Sequence, residues 1–151
     1  MYRNHLLVAL AMALVIPIPA RSETVLHTFQ QLGLLGAWAN DCNQPPSKAN
    51  YHSTYKALAN GSVERTYYDA PGHVYNRYVL EQVTRVSSDQ ISYRQKGSAG
   101  FITVILKIQQ NRFHVLSSTN DNGTIYVQDG KFTANTESVG KESPWQTKCH
   151  D

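Results

Sequence analysis

From Tyr51 onward, polar and apolar side chains alternate with a period of two, the mark of strands that bury one face and wet the other. Tyr51, Ser53, Tyr55 and Ala57 share one face, His52, Thr54 and Lys56 the other, and Asn60-Gly61 supplies a tight turn. Val63, Arg65, Tyr67 and Asp69 then alternate with Glu64, Thr66 and Tyr68 up to the break at Ala70-Pro71-Gly72-His73, which predicts a hairpin. Residues 74–86 read as one long strand or two, ended by Ser87-Ser88-Asp89. Ile91, Tyr93 and Gln95 follow before Gly97-Ser98-Ala99-Gly100. The most apolar strand, 101–108, turns through 109–111 into 112–116. Residues 119–123 read as a polar loop, 124–127 as a short strand, and Asp129-Gly130 as a tight turn before Lys131-Phe132-Thr133. Phe101, Phe113 and Phe132 are assigned to the core.

Upstream the period becomes helical. Thr24 caps a segment in which Val25, Leu26, Phe29, Leu32 and Leu35 recur at three- and four-residue intervals, and Gly33 and Gly36 end it. Residues 36–39 form a first strand, followed by loops around Asp41-Cys42-Asn43 and Pro45-Pro46-Ser47. Eight or nine short strands with local connections predict an all-β fold with a short N-terminal helix. An antiparallel up-and-down meander of that size closes most simply into an eight- to nine-stranded barrel.

The first 22 residues have a different character. Met1-Tyr2-Arg3-Asn4-His5 is a short basic stretch, residues 6–16 are an unbroken apolar run, and Ala20-Arg21-Ser22 offers small residues around a cleavage point. The pattern is that of a cleavable signal peptide cut before Glu23, leaving 23–151 as one β-barrel domain in the periplasm or outside the cell. The apolar run is too short to span a bilayer, so no stable membrane insertion is expected after cleavage. Arg3 and Arg21 leave with the leader, so the 14 Lys and Arg fall to 12 against 11 Asp and Glu. Lys48, Lys56, Arg65, Arg77, Arg85, Arg94, Lys107 and Arg112 are spread evenly among acids, without the basic stripe of a nucleic-acid binder. Nucleic acid is therefore not an expected partner.

The chain has two cysteines, Cys42 and Cys149, in a protein bound for an oxidising compartment, so one disulfide is expected. It would close a loop of about 107 residues, which chain entropy values at roughly 4 to 5 kcal/mol. The alternative, two free thiols serving a metal or redox site, lacks a CxxC motif or neighbouring histidine ligands.

Gly36-x-Trp38 after a short helical lead-in, the hairpin meander behind it, and a Cys pair tying the first strand to the C-terminus resemble lipocalins and their relatives, the calycin-like barrels. The resemblance implies that Gly36 allows close backbone approach and that Trp38 plugs one end. It also implies a cavity, open at the other end, for a small hydrophobic or aromatic molecule.

Candidate chemistry is sparse. Tyr51, Tyr55, Tyr67, Tyr68, Tyr75, Tyr78, Tyr93 and Tyr126 are dense for so short a chain. Tyrosine suits strands in any case, but Tyr55, Tyr67, Tyr75, Tyr78 and Tyr93 are the candidates for a ring-lined ligand pocket. His27, His52, His73, His114 and His150 show no HxH, HxxxH or HExxH spacing, so no metal site is drawn. Glu64, Asp69 and Glu81 are not paired at a spacing suited to acid–base work. No nucleophile motif occurs, no cofactor is implied, and the reading leans away from an enzyme. Three readings remain: a barrel binding a small apolar or aromatic molecule, a protein–protein module such as a hydrolase inhibitor or envelope accessory factor, and, third, an enzyme. The second would use loops 69–75 and 117–123 around a filled interior.

Overall fold

A computed structural model describes residues 24–134 and 137–150. The expected signal peptide therefore lies outside the described residues. One helix, α1 (Val25–Gln31), precedes ten strands: β1 (Gly36–Ala39), β2 (His52–Ala57), β3 (Val63–Ala70), β4 (His73–Arg85) and β5 (Gln90–Gly97), then β6 (Gly100–Gln109), β7 (Arg112–Asn120), β8 (Ile125–Gln128), β9 (Lys131–Phe132) and β10 (Gln146–Lys148). Each of β1 to β7 pairs antiparallel with the next, and β10 closes the ring by pairing with both β1 and β7. The result is the expected up-and-down barrel, with eight strands in the ring. Strands β8 and β9 form an extra hairpin attached to the second half of β7, whose first half is taken by β10.

The turns follow from local chemistry. Asp129 and Gly130 have φ of 50° and 74°, the left-handed pair a tight hairpin needs. Thr24 caps α1 by accepting a hydrogen bond from the His27 amide. Seven residues are too few for a helix stable on its own. Packing holds α1 in place: Phe29 is fully buried, 5.3 Å from the Tyr55 ring and 5.9 Å from Tyr93. The helix is also tied to the β2–β3 turn, where the Leu26 amide donates to Gly61 O, and to β4 through Arg85 and Gln31. It thereby closes the end of the barrel that carries the β2–β3 and β4–β5 turns.

Trp38 sits in the same plug. Its indole Nε1 donates to Leu34 O at 2.9 Å, and its ring lies 4.8 Å from Phe113. Gly36 has φ of 112°, a Cβ there would sit 3.5 Å from the Lys148 side chain, and Lys148 Nζ donates to Gly33 O at 2.7 Å. Cys42 and Cys149 form the expected disulfide, with Cα atoms 5.5 Å apart, and the Cys149 amide donates to Ala37 O. The first strand and the C-terminal strand are thus joined covalently and by backbone hydrogen bonds.

The core comprises Phe29, Leu34, Trp38, Tyr55, Val63, Leu80, Ile91, Tyr93, Leu106 and Phe113 with their neighbours. Two aromatic assignments change. Phe101 is not core: it pairs with Lys96 across the β5–β6 hairpin on the outer face and lies beneath the Arg94 guanidinium at 4.0 Å. Phe132 is half-buried in a cavity wall. Strand β10 was not anticipated, and residues 74–86 turn out to be one strand bent by an irregularity between Leu80 and Gln82. Among the described residues no helix is long and apolar enough to cross a membrane.

Candidate ligand-binding cavity

The end of the barrel opposite α1 is open. A cavity of about 520 Å³ runs inward from the β3–β4, β5–β6 and β7–β8 turns, bounded near its mouth by Tyr75, Asn76, Ser98, Ala99 and Asn120. Deeper, Ile102, Val104, Phe113 and Val115 supply apolar wall from β6 and β7, and Val127 and Phe132 supply more from the β8–β9 hairpin. The pleat of β3 aims Val63, Arg65 and Tyr67 inward as successive steps from the closed end toward the mouth.

The predicted tyrosines fall into two groups. Tyr55 and Tyr93 do not line the cavity; they form the floor beneath it, with hydroxyls 3.3 Å apart above Phe29. Tyr67 and Tyr78 line the wall, edge to face with ring centres 6.1 Å apart. The Tyr78 ring lies directly on Gly97, where any side chain would collide with it: a Cβ there would sit 2.6 Å from the ring. Tyr75 is at the rim, 60% exposed and 5.7 Å from Tyr51. Tyr51 and Tyr126 also line the cavity, with the Tyr126 hydroxyl accepting from Asn120 Nδ2.

At the centre lies a residue that the sequence reading had grouped with evenly spread cations. Arg65 is 2% exposed. Its Nη1 donates to the Tyr93 hydroxyl at 2.7 Å, and its guanidinium carbon lies 4.2 Å from the Tyr67 ring centre and 5.0 Å from that of Tyr55. Burial opposes the charge and the surrounding Tyr55, Tyr67, Tyr93 and Tyr78 act against that effect, so Arg65 keeps its proton. Burial in turn pushes the Tyr55 and Tyr67 phenols up, against the pull of Arg65, so both stay neutral at ordinary pH. Among the described residues no carboxylate pairs with Arg65, and its Nε is buried without an acceptor. A buried ion without a counterion carries a desolvation penalty of several kcal/mol. Aromatic faces offset on the order of 2 kcal/mol of it. Gln95, also in the cavity wall and 3% exposed, has an Oε1 without a donor.

The signal for Arg65 was present: it stands between Val63 and Tyr67 on the apolar phase of β3. Phase marks a face but not which residues of other strands meet it. Gln95 carries the same signal, in phase with Ile91 and Tyr93 on β5, whereas Asn76 and Ser118 carry none.

The histidines lie elsewhere. His73 and Asp69 pair outside the mouth, and the hydrogen bond from His73 holds the Asp69 carboxyl below its usual range. His114 stacks on Trp145, with ring centres 4.1 Å apart. Burial, then the nearby Lys107 charge, pushes His114 below the ordinary histidine value. An unfolded chain therefore binds more protons than the folded one as pH falls from about 6.5. Stability that His114 leaves intact at pH 7.5 is lost through that window. The urea midpoint is expected to fall more between pH 7.5 and 5 in the wild type than in His114→Gln; equal falls would exclude the contribution. Among the described residues no group of three or more His, Cys, Asp or Glu is placed to hold a metal. No protein-family model, curated protein or solved structure matches this chain.

Proposed function

We propose that this chain is an exported, lipocalin-like barrel that holds a small apolar or aromatic molecule in its interior. The observation that carries the reading is the cavity of about 520 Å³, open at one end and lined largely by apolar and aromatic side chains. Small-molecule sites typically fall in the range of about 300 to 1,000 Å³. An eight-stranded barrel serving only as a scaffold for surface loops has little reason to leave such a space, because its inward side chains suffice to fill it. The plug built from α1, Gly36 and Trp38 at the opposite end supports the lipocalin-like description. The Cys42–Cys149 disulfide suits an oxidising compartment, periplasmic or extracellular.

Native mass spectrometry of protein exported by a host and purified without denaturation, combined with titration of the neutral fluorophore N-phenyl-1-naphthylamine, tests the reading. The expected result is a chain beginning at Glu23, two hydrogens lighter than the reduced form. The fluorophore should bind saturably at a single site, with a dissociation constant on the order of micromolar. Absence of saturable binding by the folded, oxidised protein would remove the small-molecule reading and leave the mouth loops as a protein-binding surface.

A further inference from the structure

We infer that the ligand of this barrel is a monoanionic amphiphile that enters head first, its compact anionic group, such as a carboxylate, seated against Arg65 above the tyrosine floor. The inference rests on the small-molecule reading and specifies the chemistry of the ligand. Arg65 is the only charged side chain among the described residues lining the cavity, so the site presents one positive charge. Asp69 pairs with His73, Glu64 with Arg77 and Asp121 with Arg94, all away from Arg65. The chain satisfies Arg65 on one side only. Nη1 meets the Tyr93 hydroxyl, two ring faces cover the guanidinium, and Nε is buried with no acceptor.

A neutral phenol is a weak partner for a guanidinium, whose planar fork of donors matches a carboxylate or similar oxyanion. Because burial keeps Tyr55 and Tyr67 protonated, neither supplies the missing negative charge at ordinary pH. An incoming anion would provide both a counterion and an acceptor, in a setting where water competes poorly. The wall that Arg65 shares is apolar through Ile102, Val104, Val115 and Val127, which suits a hydrophobic body. Position along the axis sets the polarity of binding: head at the floor, body toward the turns.

Two probes that share one body separate the charge from the fit. N-phenyl-1-naphthylamine and 8-anilinonaphthalene-1-sulfonate differ only by the sulfonate. Wild-type protein is expected to bind the sulfonate about tenfold or more tightly, as a charge-assisted hydrogen bond implies. Arg65→Met should abolish or reverse that preference. Arg65→Lys, which keeps the charge but not the fork, should retain part of the preference. The preference should also persist in about 0.5 M salt, since a buried pair is poorly screened.

Equal affinity of the wild type for both probes, or a preference unchanged in Arg65→Met, would overturn the inference while leaving the binding barrel standing. Failure of both probes to bind would overturn the barrel reading itself. If Arg65→Met does not fold, the wild-type ratio and its salt dependence decide the question alone: a ratio near one, or one erased by salt, overturns the inference.

Discussion

Replacing Trp38 by alanine is expected to lower the unfolding free energy by about 3 to 5 kcal/mol, the usual range for deleting a large buried aromatic side chain. The indole is 2% exposed and joins three parts of the plug. It packs on Phe113 of β7, its Nε1 satisfies the carbonyl of Leu34, and the Lys148 ammonium lies 5.8 Å from its ring centre. Truncation would open a void beside fully buried Phe113 and leave the Leu34 carbonyl without that donor. The closed end of a barrel has little freedom to collapse, because its strands are fixed by their neighbours on both sides. Urea denaturation at neutral pH measures the loss, and a value below about 1 kcal/mol would mean that the ring contributes little to the plug.

Loss of the disulfide should be comparably damaging. For a loop near 100 residues the chain-entropy model predicts about 4.7 kcal/mol, and Cys42 and Cys149 are 107 residues apart. At roughly 2 to 4 °C per kcal/mol for a chain of this size, the Cys42→Ser, Cys149→Ser double variant is expected to melt about 10 °C or more below the wild type. The effect should concentrate at β10. That strand has only three residues, yet it closes the barrel by pairing with β1 and β7. Hydrogen exchange at the Gln146–Lys148 amides should accelerate before exchange in β5 or β6, as expected of a locally opening element. Calorimetry showing the same melting temperature with and without the bridge would contradict this account.

Most of the barrel was legible because its information is local. Alternation identified β2, β3 and β5, an apolar run marked β6, turn residues such as Asp129-Gly130 marked the hairpins, and short connections forced antiparallel neighbours to be sequential. Strand β10 was invisible for the converse reason. Gln146-Thr147-Lys148 has no apolar alternation, and its extended state comes from the hydrogen bonds that β1 and β7 offer it. Phe101 was misassigned because the Gly97–Gly100 hairpin register turns it outward with Lys96, and a strand's face is set by pairing rather than by hydrophobicity.

For the candidate site, the density of tyrosines was readable but their separation into floor, wall and rim was not. Tyr55 and Tyr93 became floor because Phe29 of α1 packs beneath them, a contact between elements far apart in the chain. Arg65 shows the same division. Its phase on β3 follows from a two-residue repeat that any reader of the sequence can count. That the repeat places it in a space unfilled by side chains, among phenols, depends on the inward residues of several strands at once. By itself, then, the sequence determined most of the strands, the hairpin order and the pairing of its two cysteines, because each rests on period, turn geometry or elimination. Tertiary structure decided the closure by β10, the open interior and the burial of Arg65, because these are sums over residues that only the closed ring brings together.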